Sequence, residues 1–330
     1  MSMFAGFGMG QSYALDSVGT FFQAELTRLD PELHKPLVSV TWSRDLPLRS
    51  DVSVGDEFSA FLRMKMGSVG GLRSDGINWV GTESTALPAA TVDNERIVYP
   101  LRLWGSVVEY TVQEVERSQR LGRPIDVQKI ESMHLKNQMD TDHMAYVGDQ
   151  SAFPESFGLL NSTDPQSVIV QQETTFAALA AQEGGAAAIQ TALLNAQAAV
   201  WKQSGFAVCP NKLLLPPEVY GLLNRTVSSA GMQSIMQFLK VNNAYTQQTG
   251  EELDIQPVKW LSAGNTYLNN SGKARAVFYT DEEKFVRYPV TPLQKTAVTY
   301  QDLWLRVAYW CLLGHVELVY PETVGYLDGV

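Results

Sequence analysis

Residues 140–162 read DTDHMAYVGDQSAFPESFGLLNS, and the organisation of the chain follows from this stretch. It closes a long polar helical segment, turns at Gly148-Asp149, crosses a short loop and arrives at Phe157-Gly158-Leu159-Leu160-Asn161. Gly158-Leu159-Leu160 offers no nucleophile, and no Gly-x-Ser-x-Gly elbow accompanies it. A chain without a recognisable active site directs attention to its own surface.

Upstream, two helices lead into this turn. Ile125–Tyr146 is predicted helical, with Asp126 as its cap and Ile130, Met133, Asn137 and Met144 on the inner stripe. Residues 106–121 are predicted as a preceding helix, with Val108, Val112, Val115 and Gln119 on one stripe and Glu109, Gln113, Glu116 and Arg120 facing away. Gly122-Arg123-Pro124 ends or kinks it, because proline removes an amide hydrogen and crowds the preceding turn. Before the helices the pattern is β-like. Residues 58–66 read as a strand, Gly67, Gly70, Gly71 and Gly76 interrupt, Ile77-Asn78-Trp79-Val80 resumes, and 96–104 returns. Two strands joined by a Gly-rich excursion make a protruding hairpin, which is marginal in water unless it lies against something. Residues 37–40 read as a strand and 18–29 as a short helix; residues 1–20, rich in Gly, Met, Ser and Phe, read as an arm.

Downstream, 168–170 is a short strand and Gly185–Gln203 an Ala-rich helix ending at Gly205, a left-handed cap. Apolar 212–215 precedes Pro216-Pro217-Glu218, where proline opens another helix without wasting an amide hydrogen. Residues 234–242 are predicted helical and 258–261 extended. Residues 274–279 and 285–288 are read as a hairpin about Asp281-Glu282-Glu283, and 303–320 as a long β-rich tail closing on Pro321-Glu322-Thr323-Val324. There is no internal repeat.

The totals describe a folded protein: 330 residues, 45% hydrophobic and 18% charged. A net charge of −10 and the lack of a Lys/Arg cluster argue against a basic nucleic-acid-binding face. The N-terminus lacks the basic start and apolar core of a signal peptide, and no apolar run approaches a membrane span, so the expectation is a soluble, cytosolically made protein. On that footing the sequons at Asn161, Asn224 and Asn269 carry no meaning, and Cys209 and Cys311 read as buried free thiols.

Sharper chemical readings each meet a plainer one. Asp140 and His143 share a helix face and, with His134 and Asp142 nearby, have ligand chemistry; a polar helix end with His on the dipole is the favoured reading. Asp281, Glu282 and Glu283 form a carboxylate cluster without a partner base and read as a solvated turn. Gly67-Ser68-Val69-Gly70-Gly71 lacks the Lys-Ser/Thr ending of a phosphate loop. His315 reads as a buried, hydrogen-bonded core residue within a strand. No catalytic residue, metal or cofactor is expected.

The order of these elements resembles the major capsid proteins of tailed bacteriophages, of Hong Kong 97 type, and their relatives the encapsulin shells. The resemblance is carried by the helix followed by Gly148-Asp149 and Gly158-Leu159-Leu160-Asn161. It is also carried by Gly122-Arg123-Pro124-Ile125-Asp126 opening a Glu/Met/Asn-rich helix, by Leu213-Leu214-Leu215-Pro216-Pro217-Glu218-Val219-Tyr220 with Gly231 and Phe238-Leu239 downstream, and by Tyr288-Pro289 with Gly314-His315-Val316-Glu317-Leu318-Val319-Tyr320-Pro321. It spans about residue 50 to the end.

The resemblance implies an α+β capsid fold: an N-terminal arm (1–55), an extended hairpin loop (56–104, its strap at 56–99), a spine helix with peripheral domain (105–204), an axial domain (205–285) and return strands completing the peripheral domain (286–330). It implies a non-enzymatic shell subunit that assembles with itself into pentamers and hexamers of an icosahedral head. The head would enclose double-stranded DNA without specific recognition, in a virion assembled in the bacterial cytoplasm. Separate scaffolding, portal and decoration proteins are possible partners, and no membrane is. Phe58, Phe61 and Trp79 on the hairpin are the expected burial sites; Lys65, Glu109, Glu116 and Arg120 are the other expected contacts. The chain departs from members that carry a long scaffolding segment, its first forty residues being too short and too weakly charged. Covalent crosslinking is not expected either: Lys65 is the only lysine between Lys35 and Lys129, and no asparagine is matched to it. An encapsulin-type compartment is the close alternative, and a soluble α/β enzyme the alternative of another class.

Overall fold

The computed structural model describes residues 36–69, 89–121, 125–228, 231–268 and 270–330. Residues 39–330 form one compact unit, and of residues 1–38 only 36–38 are described. The arm read at 1–20 and the helix at 18–29 therefore lie outside the described residues, as do Ile77-Asn78-Trp79-Val80.

Along the chain, helix α1 (Trp42–Asp45) leads to strand β1 (Leu48–Arg49), the hairpin strands β2 (Phe58–Val69) and β3 (Ala89–Pro100), and β4 (Arg102–Thr111). Helices α2 (Val112–Leu121) and α3 (Ile125–Tyr146) follow, then β5 (Val168–Gln171), α4 (Phe176–Ala180), α5 (Gly185–Gln203), β6 (Lys212–Leu215) and α6 (Pro217–Leu222). Next come β7 (Thr226–Ser228), β8 (Gly231–Ser234), α7 (Ile235–Val241), α8 (Ala244–Thr249), β9 (Asp254–Pro257), β10 (Arg275–Tyr279) and β11 (Val286–Pro289). The chain closes with β12 (Gln294–Lys295), β13 (Thr299–Gln301), β14 (Trp304–Leu313), β15 (Glu317–Leu318) and β16 (Gly325–Asp328). Among the described residues no helix is long and apolar enough to cross a membrane.

Two sheets carry the body. The first has the order β5-β16-β10-β6-β9, and its central strands are buried on both faces, as their unbroken apolar runs require. Leu213, Leu215, Ala276, Phe278 and Leu327 pack toward α5 with Ile189, Leu193 and Val200. Leu214, Val277, Tyr279 and Tyr326 pack on the other side against Ala145, Tyr146, Val147, Leu159 and Leu160. The second sheet joins β12, β14 and β13, with β4 running along β14 from Trp304↔Thr111 to Leu313↔Arg102. It packs on α3 through Val108, Met133, Tyr309, Met144, Cys311 and Leu313.

The turn at 148–161 is what stops α3 and holds it to the first sheet. Gly148 sits at φ 72°, the left-handed conformation that ends a helix. The amides of Leu159 and Leu160 donate to the last-turn carbonyls of Ala145 (3.0 Å) and Tyr146 (2.9 Å). Asn161 Nδ2 donates to Val147 O (2.7 Å) and Tyr267 O (3.1 Å), while its Oδ1 accepts from Gly158 N (2.8 Å). The carbonyls of Leu159 and Leu160 in turn accept from Tyr326 Oη and Arg275 Nη1, both at 2.8 Å. The two leucine side chains are fully buried, each contributing about 1.5–3 kcal/mol.

Several expectations need correction. Residues 37–40 form no strand. Gly67 does not interrupt the hairpin but lies within β2. The single return strand expected at 96–104 is two, broken at Leu101, and the helix expected from 106 begins at Val112. Residues 106–111 are the second half of β4, because the alternation of buried Val108 with exposed Val107 is a strand period. A signal for the true boundary was present: Thr111 and Glu114 form a capping box, with Glu114 N donating to Thr111 Oγ1 and Thr111 N to Glu114 Oε2, both at 3.1 Å. The strand expected at 258–261 is a 3-10 turn, preceded by β9. β10 and β11 exist but do not form a hairpin; β10 lies between β16 and β6, and β11 between β1 and β15. The division at 204/205 and 285/286 is crossed by the first sheet, which takes β5 from before it and β16 from the chain's end. The bounds of α3 and α5 agree with expectation, and Gly205 is left-handed at φ 65°.

A Cβ added at Gly158 would lie 2.1 Å from the Tyr146 carbonyl carbon. Gly158→Ala should therefore destabilise the unassembled subunit by about 3 kcal/mol, read as a lower melting temperature or denaturant midpoint. An unchanged midpoint would refute this account of the turn.

Candidate functional site

Most of the hairpin's described residues are exposed, and its two faces differ. β2 and β3 pair from Phe58↔Pro100 to Val69↔Ala89. Even-numbered Phe58, Leu62, Met64, Val92 and Val98 are 42–68% exposed. Odd-numbered Ser59 and Phe61 are buried at the root. A mostly apolar face left in water, with Asn94 and Arg96 opposite Met64 and Leu62, beside a polar, anchored one is the pattern of a surface awaiting a partner.

The root is held by an ionic cluster around Glu317, which is fully buried. Arg49 Nη1 donates to Glu317 Oε1 (3.0 Å), Ser59 Oγ (2.7 Å) and Ala60 O (3.2 Å). Its Nε and Nη2 clamp Asp51 at 2.6 and 3.0 Å. That hydrogen bonding holds the Asp51 carboxyl below its usual range and the Arg49 guanidinium above its own. Arg287 Nε reaches Glu317 Oε2 at 2.6 Å, and Ser59 Oγ also donates to Glu317. Farther out, Arg63 donates to the carbonyls of Leu318 and Val319, both at 3.3 Å. Phe61 lies beside Tyr99 (6.2 Å between centroids), and Tyr99 stacks on His315 (5.9 Å, 22°). Two cations around one desolvated carboxylate, with Arg49 also bonding Ser59, Ala60 and Asp51, fix the direction in which the hairpin leaves the body.

Of the residues singled out in the sequence, Phe58 is exposed on the apolar face. Phe61 is instead part of the subunit's own root, 9% exposed beneath Arg287. Lys65 pairs across the hairpin with Glu95 (2.7 Å). Glu109 is a strand residue paired with Arg306 of the same chain (3.0 Å). Glu116 and Arg120 are exposed on α2, and Trp79 lies outside the described residues. Leu62 and Met64 were missed, although their alternation with Arg63 and Lys65 marks one apolar face.

The other polar candidates serve the fold. Asp142 is fully buried and accepts from the amides of Thr41 (2.9 Å) and Trp42 (3.1 Å) and from Trp260 Nε1 (2.8 Å), with Lys259 at 3.0 Å. Asp140 accepts from Trp104 Nε1 (2.9 Å) and Lys136. His134 meets Tyr309 edge-on, and His143 meets both Trp260 and Tyr267. The favoured reading of a polar helix end is thus too plain, since α3 ends among buried partners. Among the described residues no group of His, Cys, Asp and Glu is arranged to hold a metal ion. Asp281 is not simply a solvated turn residue: it is half-buried on Lys212 Nζ (2.7 Å), and burial pushes its carboxyl up against that pairing. His315 is buried as expected, but it lies between strands and its Nε2 has no hydrogen-bond partner. Cys209 and Cys311 are free and buried, and burial pushes the Cys209 thiol up to about 11.

Arg49→Met should cost the unassembled subunit about 3 kcal/mol, because Glu317 stays buried with one cation fewer. It should also speed proteolysis within the hairpin; wild-type proteolysis and stability would refute the anchoring role. Burial lowers the pKa of both His143 and His315 below 6.5. Their contribution is therefore complete above the unfolded value and lost as pH falls through it toward the folded one. The melting temperature should drop between about pH 7.5 and pH 5, and drop less in His315→Phe; equal slopes would exclude His315 as a source.

Residues 76–330 match the sequence model of the family described as "Major capsid protein". No curated protein sequence matches the chain. Among solved structures it is similar to the capsid of Myoviridae phage XM1, with a TM-score of 0.74 at 14% identity over 93% of this chain and 98% of that one. The capsid of the native GTA particle aligns with a TM-score of 0.62 at 11% identity over 97% and 99%, and Gordonia phage Cozz with 0.56 at 12% over 94% of each. The fold is the α+β capsid fold expected from the order of the elements. The chain belongs to the major capsid protein family, and its fold is that of the phage capsid structures it resembles.

Proposed function

We propose that copies of this chain associate into pentamers and hexamers that close an icosahedral head, with the hairpin as the strap between neighbours. The observation that carries this reading is the hairpin's unpaired apolar face, Phe58, Leu62, Met64, Val92 and Val98, on an element whose root is locked by buried ion pairs. A rigidly aimed strap loses little entropy on docking, and its exposed apolar area supplies the gain. In this reading α3 and the β4–β14 sheet form the peripheral domain. The first sheet with α5–α8 forms the axial domain, and the 205–285 region within it is the capsomer centre. Phe58, Glu116 and Arg120 remain candidate contacts between subunits; Phe61, Lys65 and Glu109 have partners within their own chain.

The head encloses double-stranded DNA without reading it, consistent with a net charge of −10. The chain resides in the virion and is assembled in the host cytoplasm, with scaffolding, portal and decoration proteins as separate chains. Its role is assembly rather than catalysis. Each contact is weak, and the shell is strong because many engage together.

Replacing Leu62 and Met64 together by Glu puts two charges on the apolar face without touching the root. Sedimentation velocity should then show loss of capsomers and shells, with the subunit's melting temperature within about 2 °C of wild type. Shells forming at the wild-type concentration would overturn the strap.

A further inference from the structure

We propose that the cavity at the root of the hairpin binds a small organic cation, an ammonium group carried on an apolar or aromatic body. The inference stands apart from the strap reading, because it concerns what a single subunit holds.

The cavity has a volume of about 530 Å³, within the range of ordinary small-molecule sites. Three parts of the chain wall it: the end of β3 with Arg102, residues 153–164 beyond the stop of α3, and the residues leading into β15. Val98, Phe157, Val316 and Leu318 supply apolar wall. Water against such a wall makes few hydrogen bonds there, and an apolar body displaces it favourably.

His315 marks a polar position in the wall. It is 4% exposed, its ring stacks on Tyr99 with centroids 5.9 Å apart, and its Nε2 has no hydrogen-bond partner among the described residues. A buried polar nitrogen left unpaired is costly, and this residue borders a space large enough to hold the missing partner. Burial, and after it the guanidinium of Arg102, hold the imidazole below its usual range. The ring is therefore neutral at about pH 7, and with its proton on Nδ1 the Nε2 is a hydrogen-bond acceptor.

Charge around the cavity selects the sign of the ligand. Two carboxylates, Glu155 and Asp164, line it together with one guanidinium, that of Arg102. Arg102 is drawn onto the Phe153 ring, 4.2 Å from its centroid, so a ring of this wall already receives a cation. Glu155 is exposed and has no ion-pair partner among the described residues, and Asp164 accepts from Gln166 N at 2.9 Å through Oδ1. An anion entering here meets two like charges. A cation meets two carboxylates, a neutral acceptor and aromatic neighbours, with room behind it for an apolar body.

Tryptamine is the probe, with indole-3-propionate as a counterpart of similar shape and opposite charge. Titration calorimetry on the full chain at about pH 7 should give tryptamine a Kd at or below about 1 mM, with indole-3-propionate at least about tenfold weaker. Glu155→Gln combined with Asp164→Asn should weaken tryptamine about tenfold. Glu282→Gln with Glu283→Gln removes the same charge from an exposed turn elsewhere and should leave the affinity unchanged. In protein carrying ¹³C-labelled histidine, the His315 ring signal, identified by its absence from His315→Phe, should move as tryptamine is added to the wild-type chain. No heat and no movement of that signal up to about 10 mM tryptamine would mean that the cavity holds water alone, and would overturn the proposal. Equal binding of the carboxylate, or equal loss in the two double variants, would overturn it as well.

Discussion

The subunit depends on how one long helix is stopped. Ala145 and Tyr146, which end α3, and Val147 after them are buried, and there unpaired carbonyls are costly. Leu159, Leu160 and Asn161 satisfy the carbonyls of Ala145, Tyr146 and Val147 in sequence. The same residues pass the bonding on, to Tyr326 on β16 and Arg275 on β10. Arg275 is itself paired with Asp328, both buried. A helix end is thereby tied to the middle of a sheet, and the helix's opposite flank positions the β4–β14 sheet. Gly158 is there because the backbone of the turn lies against the backbone of the helix, leaving no room for a side chain.

That turn was legible in the sequence as a word, but its physical content was not. Gly-Leu-Leu-Asn reads as a cap; nothing in the letters says that Asn161 bonds three backbone groups. The long helices were legible because their ends carry glycine, proline and apolar periodicity. β4 was misread because Val108, Val112 and Val115 fit a helical stripe, although Val108 belongs to a strand. Only the Thr111/Glu114 box separates the two. The pairing of β10 and β11 was misread because adjacency in sequence suggested a hairpin, whereas both strands found partners far away. Long-range pairing is set by burial on both faces, which one chain's periodicity does not report.

The hairpin shows the division of labour most clearly. Its buried residues, Ser59 and Phe61, face the subunit's own Glu317 and Arg287, and its apolar residues face outward. Sequence alternation identified a strand but not which face belonged to whom, so Phe61 was assigned outward and Leu62 overlooked. What decides it is the placement of one buried carboxylate at residue 317, more than two hundred residues away.

Exposed strand edges invite unwanted pairing, and folded proteins blunt them with charge, bulges or cover. Here the blunting is partial in a particular way. Lys129 and Glu114 close one end of the β4 edge, and Arg49 closes the root of β2. The stretches left open are short, uncharged and apolar on the same residues that carry the free backbone groups. A net charge of −10 keeps subunits apart at a distance, so an edge of three or so positions is too weak to aggregate the chain unaided. In the assembly proposed above such an edge is one contact among many, each of which raises the local concentration of the next. An edge capped at its end and open at its middle is thus suited to a protein that must stay soluble as a subunit and adhere only as an assembly.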